Sequence, residues 1–255
     1  RIWITELANV PKNTLDKNNF SADANFKYYN VNGKAASTEG VDVSDYNGTI
    51  DWKKVKDSGI DFAMIRIGGR GYGTEGTLYQ DENAIKNITE AKDNGIKVGV
   101  YFFSQAINTD EAIEEANYVK DILGDIKLDY PVAYDWEIVK DDDARTDNVS
   151  AYEATECARA FCQTVESNGY TASIYSPSRE LYFKYDLSRL KDYDIWYCEY
   201  SDTPEFYYQF SMWQYTTAGK VDGIDGEVDL NICFTGIADL SLIHISEPTR
   251  PEPIS

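Results

Sequence analysis

The segment Pro131-Val132-Ala133-Tyr134-Asp135-Trp136-Glu137 ends on two carboxylates separated by one aromatic residue. Its apolar run reads as a buried strand, and strand side chains alternate between faces, so Asp135 and Glu137 point the same way. At a rise of roughly 3.3 Å per residue their Cα atoms lie about 6 to 7 Å apart, close enough for ionisation of one to oppose ionisation of the other. A carboxylic acid held beside a carboxylate supplies what cleavage of a glycosidic bond requires: a proton for the leaving oxygen and a negative charge facing the developing oxocarbenium ion. Two solvated acids at a strand end would give the same pattern, so the neighbouring elements decide between the readings.

Those elements form a repeat. Val41–Ser44, Phe62–Ile67, Ile96–Phe103, the carboxylate segment and Ala172–Tyr175 read as strands. Between them, helical periodicity is predicted from Asp51 to Asp57, from about Asp81, from Asp110 to Leu123, and after the capping box Ser150-Ala151-Tyr152-Glu153. Gly59, Gly95, Gly124 and Gly169 close these helices, and the alternation predicts parallel strands joined by crossover helices. Asp194–Tyr200, Phe210–Tyr215 and Glu227–Phe234 then read as strands with short connections. The fold class expected is α/β, a TIM-like (β/α) barrel over 39–236 whose second half is irregular and has fewer helices. In such barrels chemistry sits at the C-terminal strand ends, where Asp42, Asp135 and Glu137 fall. Residues 1–38 read as a lead-in with one hairpin turn at Asn32-Gly33. The stretch from Leu240 to Arg250 has no period and resembles a translated sequencing-library adapter, so 240–255 is set aside as a non-native tail, together with the only histidine, His244.

Composition narrows the function classes. With 255 residues and 42% hydrophobic content the chain can bury the core of one large domain. A formal charge of −20 argues against nucleic acid and against an anionic membrane, since phosphate contacts need clustered Lys and Arg. No run of 18 apolar residues is present. One histidine and four cysteines without C-x-x-C spacing predict no metal site, and no organic cofactor is expected either. Cys157 and Cys162 point to different faces of one helix; Cys198 and Cys233 would pair only if their strands were neighbours. Four reduced, mostly buried thiols are expected.

Taken in order, Gly40-Val41-Asp42-Val43-Ser44, Ile50-Asp51-Trp52, Arg66, Gly99-Val100-Tyr101-Phe102-Phe103, Asp135-Trp136-Glu137, Trp213-Gln214-Tyr215 and Val228-Asp229-Leu230-Asn231 resemble glycoside hydrolase family 25, the N-acetylmuramidase-type lysozymes. The resemblance runs from about Gly40 to Phe234 and departs from the family where many members have Tyr-His-Phe in the third strand and this chain has Tyr101-Phe102-Phe103. It implies an eight-stranded barrel that cleaves the β-1,4 bond between N-acetylmuramic acid and N-acetylglucosamine in peptidoglycan. Carried over residue by residue, Glu137 is the general acid, Asp135 orients the substrate's acetamido group or acts as second carboxylate, and Asp42 and Asp229 complete the acidic cluster. Arg66, Tyr101, Tyr175, Trp213 and Gln214 are the expected substrate contacts. The partner expected is the peptidoglycan glycan strand, met by a monomer that is secreted, wall-associated or a phage-type lysin. Two alternatives stay open: a non-catalytic glycan-binding barrel, and a chitinase-like glycosidase. The latter's Asp-Gly-x-Asp-x-Asp-x-Glu run is contradicted by Tyr130, Pro131 and Ala133.

Overall fold

The computed structural model describes residues 5–139 and 142–234, so the adapter-like tail and His244 lie outside the described residues. Three short strands come first, β1 (Phe20–Ala22), β2 (Lys27–Val31) and β3 (Lys34–Ala35), paired as an antiparallel sheet. The β2–β3 turn is Asn32-Gly33, with φ of 53° and 75°, the two-residue hairpin geometry that this dipeptide favours.

The remaining strands are β4 (Ser37–Val43), β5 (Phe62–Arg70), β6 (Leu78–Gln80), β7 (Lys97–Ser104), β8 (Val132–Trp136), β9 (Ala172–Pro177), β10 (Asp194–Cys198), β11 (Met212–Gly219) and β12 (Val228–Phe234). Their order is β4-β12-β11-β10-β9-β8-β7-β5, and β4 pairs with β5, which closes eight strands into a barrel; β6 is an antiparallel addition to β5. All barrel pairs are parallel except those of β12, which runs antiparallel to β11 and β4. The helices are α1 (Trp52–Asp57), α2 (Ala84–Asp93), α3 (Thr109–Leu123), α4 (Ala151–Ser167) and the short α5 (Ser178–Phe183). The capping box at Ser150 forms, with its hydroxyl on the Glu153 amide and the Glu153 carboxylate on the Ser150 amide.

The barrel is filled from inside by Phe62, Met64, Ala133, Tyr175, Trp196 and Met212. A Cβ at Gly40 would sit 2.2 Å from the Phe62 ring, so the ring occupies the space of the missing side chain. Outside, α2, α3 and α4 cover β5, β7, β8 and β9. Among the described residues no helix follows β10 or β11, and there the N-terminal segment supplies the cover. Phe20 packs edge-on against Trp213 and Phe234 with ring centres 5.7 and 5.9 Å apart, and Tyr29 meets Phe234 at 5.4 Å. Backbone bonds from Asn13 to Tyr207 and from Gln209 to Pro11, each 2.9 Å, tie the first residues to the loop before β11. A β-barrel strand needs an apolar layer on its outer face, and the hairpin sheet provides it where crossover helices are missing.

All four cysteines are free thiols; β11 lies between the strands of Cys198 and Cys233, so these two are not neighbours. Among the described residues no helix is long and apolar enough to cross a membrane.

One buried acid sits on the outer face of β4, against the hairpin. Glu39 is 6% exposed, its Oε2 has no hydrogen-bond partner, and burial pushes its pKa up to about 8, against the opposing effect of the Ser37 hydroxyl. A raised carboxyl pKa leaves stability fully present below the unfolded value of about 4.5 and removes it progressively as pH climbs to about 8. Glu39→Gln is therefore expected to flatten this decline and to be more stable than the parent at pH 9 by a few kcal/mol, on the order of one pKa unit per 1.4 kcal/mol. Urea unfolding at pH 4 and pH 9 measures it; equal losses in both proteins between those pH values would rule Glu39 out as the cause.

Candidate active site

Strand alternation turns one face of each barrel strand inward, and at the C-terminal mouth these inward residues meet. Asp42 from β4, Tyr101 from β7, Asp135 from β8, Tyr175 from β9, Trp196 from β10, Gln214 from β11 and Asp229 from β12 line one pocket together with Glu137, the first residue after β8. The pocket has a volume of about 110 Å³, below the usual range for small-molecule sites, so it has room for only part of a large ligand.

On one wall lie Asp42 and Asp229, directly opposite each other in the antiparallel β4–β12 register. Asp42 Oδ2 accepts from Asn231 Nδ2 at 2.7 Å and from Gln214 Nε2 at 2.8 Å; Gln214 reaches Asp229 Oδ2 only at 3.4 Å. Burial raises both acids, but the amide donors favour the anion at Asp42, whereas burial and the Asp42 charge push Asp229 up to about 8. Asp229 thus carries the proton of the pair and donates it toward Asp42. The amides are themselves fixed: Gln214 Oε1 accepts from Tyr175 Oη at 2.9 Å and Tyr200 Oη at 3.1 Å, and Asn231 Oδ1 accepts from the Trp196 indole at 2.8 Å.

Across the pocket stand Asp135 and Glu137. Asp135 is 5% exposed and held well above the usual carboxylate range, first by burial and then by the charge of Glu137, with which it shares a hydrogen bond. Its Oδ1 is buried without a hydrogen-bond partner. Glu137 is half-buried. Burial and the neighbouring Glu137 charge thus both favour the protonated form of Asp135.

The structure brings together Asp42, Tyr101, Asp135, Glu137, Tyr175, Gln214 and Asp229, and it corrects one expected substrate contact. Trp213 is fully buried on the outer face of β11, its indole N–H on the Glu199 carbonyl at 2.8 Å and its ring against Phe20. It cannot share the cleft with Gln214, because adjacent strand residues face opposite ways. Arg66 pairs with Asp45 and, at 3.0 Å, with Asp81, and lies under the Tyr46 ring at 5.0 Å, while its charge also acts on Tyr101 and Asp135 of the pocket. Residues not predicted for the site are Trp196, Asn231 and Tyr200. Asn231 carried a signal, standing two residues from Asp229 on the same strand face.

A closed α/β barrel with two carboxylate pairs facing each other across its mouth defines a site of the glycoside-hydrolase type. Residues 41–224 match the family model for glycosyl hydrolases family 25, and the chain belongs to that family. It is 27% identical over 201 residues to an autolytic lysozyme of Clostridium acetobutylicum, covering 78% of this chain and 56% of the relative. Among solved structures it is similar to the modular autolysin LytC of Streptococcus pneumoniae, with 26% identity, a TM-score of 0.67, and coverage of 84% of this chain and 52% of that one. A family 25 glycosyl hydrolase from Bacillus anthracis shares the fold at 21% identity and a TM-score of 0.65, with coverage of 87% and 98%. The chain spans little more than half the length of the first two relatives.

Proposed function

We propose that this chain is a peptidoglycan hydrolase that cleaves the β-1,4 bond between N-acetylmuramic acid and N-acetylglucosamine, acting from a catalytic barrel over 39–236. The observation that carries this reading is the Asp135–Glu137 pair, two hydrogen-bonded carboxyl groups that line one pocket with Asp42 and of which Asp135 is held well above the usual carboxylate range. The LytC autolysin has been crystallised with a synthetic peptidoglycan ligand, which supports a glycan strand as the substrate class.

In this reading a sugar ring entering the pocket covers the half-buried Glu137 and strips its water. Desolvation raises the affinity of Glu137 for a proton, and the proton held by Asp135 passes along their hydrogen bond. Glu137 then donates it to the glycosidic oxygen as that bond breaks, and a water adds its hydroxyl to the anomeric carbon and returns a proton to the carboxylate pair. Asp135, left anionic, presents Oδ1 to the acetamido N–H of the substrate and faces the charge developing at the ring. The Asp42 anion adds a second negative field, kept in place by Asn231 and Gln214. Tyr101, Tyr175 and Trp196 give the ring its apolar walls. No step in this scheme calls for a metal or an organic cofactor. A secreted, wall-associated or phage-type setting follows from the substrate, and a monomer is in keeping with a pocket lined by residues of a single chain.

The deciding experiment is digestion of purified peptidoglycan followed by borohydride reduction. Muramitol as the new end is the expected result. Glucosaminitol would replace the reading with a glucosaminidase, and no new end would make the barrel a glycan-binding module.

A further inference from the structure

The last register pair between β7 and β8 is Ser104 with Trp136, so Glu137 stands one position beyond the ladder. There its backbone carbonyl accepts from the side-chain amide of Gln105, at 2.9 Å. The same Nε2 donates to the Ser104 carbonyl at 3.0 Å, and Gln105 Oε1 accepts from Thr146 Oγ1 at 2.9 Å. Gln105 is completely buried and Thr146 is 2% exposed. The amide side chain thus replaces the backbone donor that a longer β7 would have provided, and it uses both of its ends to do so.

The turn that carries Gln105 is itself held from below. Ser104 Oγ donates to Glu115 Oε2 at 2.6 Å, and Glu115 Oε1 accepts from Arg70 Nε at 2.8 Å. Thr146 belongs to the long loop between β8 and α4, fixed nearby by the Arg145–Glu111 ion pair of 2.6 Å and by the Arg145 amide on the Tyr72 carbonyl at 2.9 Å. Glu137 therefore follows β8 directly, and Gln105 is the buried group that bonds both to its carbonyl and to Thr146 further along the chain.

We infer that Gln105, braced by Thr146, is a positioning residue that fixes the peptide of Glu137 and so the direction of its carboxyl toward Asp135 and the scissile oxygen. The inference rests on the hydrolase reading above. A displacement near 1 Å at a proton donor lowers turnover by about two orders of magnitude while leaving most substrate contacts intact.

Gln105→Met keeps the volume and deletes the amide; Thr146→Val removes only the outer brace. The expected result for Gln105→Met on purified peptidoglycan is a 10- to 100-fold lower kcat with KM within about twofold, for Thr146→Val a smaller loss in the same direction, both per folded molecule as counted by circular dichroism. Independently of turnover, the Glu137 carboxyl, followed by carbon-13 NMR, is expected to titrate at a different pH in Gln105→Met than in the parent, because its bond to Asp135 is loosened. If both variants only lower the melting temperature, with kcat per folded molecule and the Glu137 titration unchanged, Gln105 is a structural residue and the inference fails. If the parent itself yields no new reducing end, the hydrolase reading fails, and the NMR titration alone decides whether Gln105 sets the geometry of Glu137.

Discussion

Glu137→Gln is expected to lower kcat on purified peptidoglycan by roughly 10² to 10⁴-fold, the range that one general acid contributes, with little change in KM. The substitution is isosteric and falls on a half-buried side chain, so the pocket keeps its shape. What it removes is the carboxylate that, in the proposed mechanism, takes up the proton of Asp135 and passes it on. It also removes the charge that helps hold the Asp135 pKa high, so the Asp135 carboxyl in the variant should titrate lower than in the parent, with burial as the remaining cause of its shift.

The sign of the pH effect follows. In the proposed mechanism activity requires one proton on the pair, so kcat/KM should fall as pH rises past the upper titration of Asp135 and Glu137. The residual activity of Glu137→Gln should lack that limb. Folding gives the control, because glutamine keeps the shape of the side chain and its amide oxygen can still accept from protonated Asp135, so the melting temperature should change little. A variant retaining more than a tenth of parental turnover would remove Glu137 from the role of acid.

Much of this site was legible in the sequence because strand alternation is a rigid rule. Asp135 and Glu137 were placed on one face by their spacing alone, and Asp42 by its position at the end of β4. The same rule, applied consistently, would have rejected one of Trp213 and Gln214, and the structure rejects the tryptophan. What spacing cannot give is the pairing of distant strands. Asn231 becomes a ligand of Asp42 only because β12 runs antiparallel to β4, and Trp196 reaches the pocket only because β10 and β9 are neighbours. The covering role of the N-terminal segment was hidden for another reason: β1, β2 and β3 are too short for a period to emerge, and Phe20 and Tyr29 reveal their purpose only against Trp213 and Phe234. Arg66 was visible as a charge in a strand, but its partners Asp45 and Asp81 lie in a turn and just beyond β6, which no local pattern pairs with it.

Asp42→Asn is expected to cost about 10²-fold or more in kcat while leaving the barrel about as stable as before, and the reason lies in the proton arrangement of the wall it shares with Asp229. Asp42 Oδ2 receives both amide donors, from Asn231 and Gln214, so an asparagine can place its carbonyl oxygen there and satisfy them. Its amide then replaces the other carboxyl oxygen and faces Asp229, donating where the parent accepted. Asp229 no longer needs its own proton and loses the negative neighbour that raised it, so its pKa should fall below the present value of about 8. The charge moves from the β4 strand to the β12 strand, and the field at the reacting ring moves with it. Asp42→Ala differs: it leaves the Asn231 and Gln214 donors without an acceptor in a buried wall, at about 1 to 3 kcal/mol for each. Comparing the two variants therefore separates charge from packing. If Asp42→Asn kept kcat within threefold of the parent, the anion at this position would have no part in the reaction, and Asp42 would be a residue that only holds Asn231 and Gln214 in place.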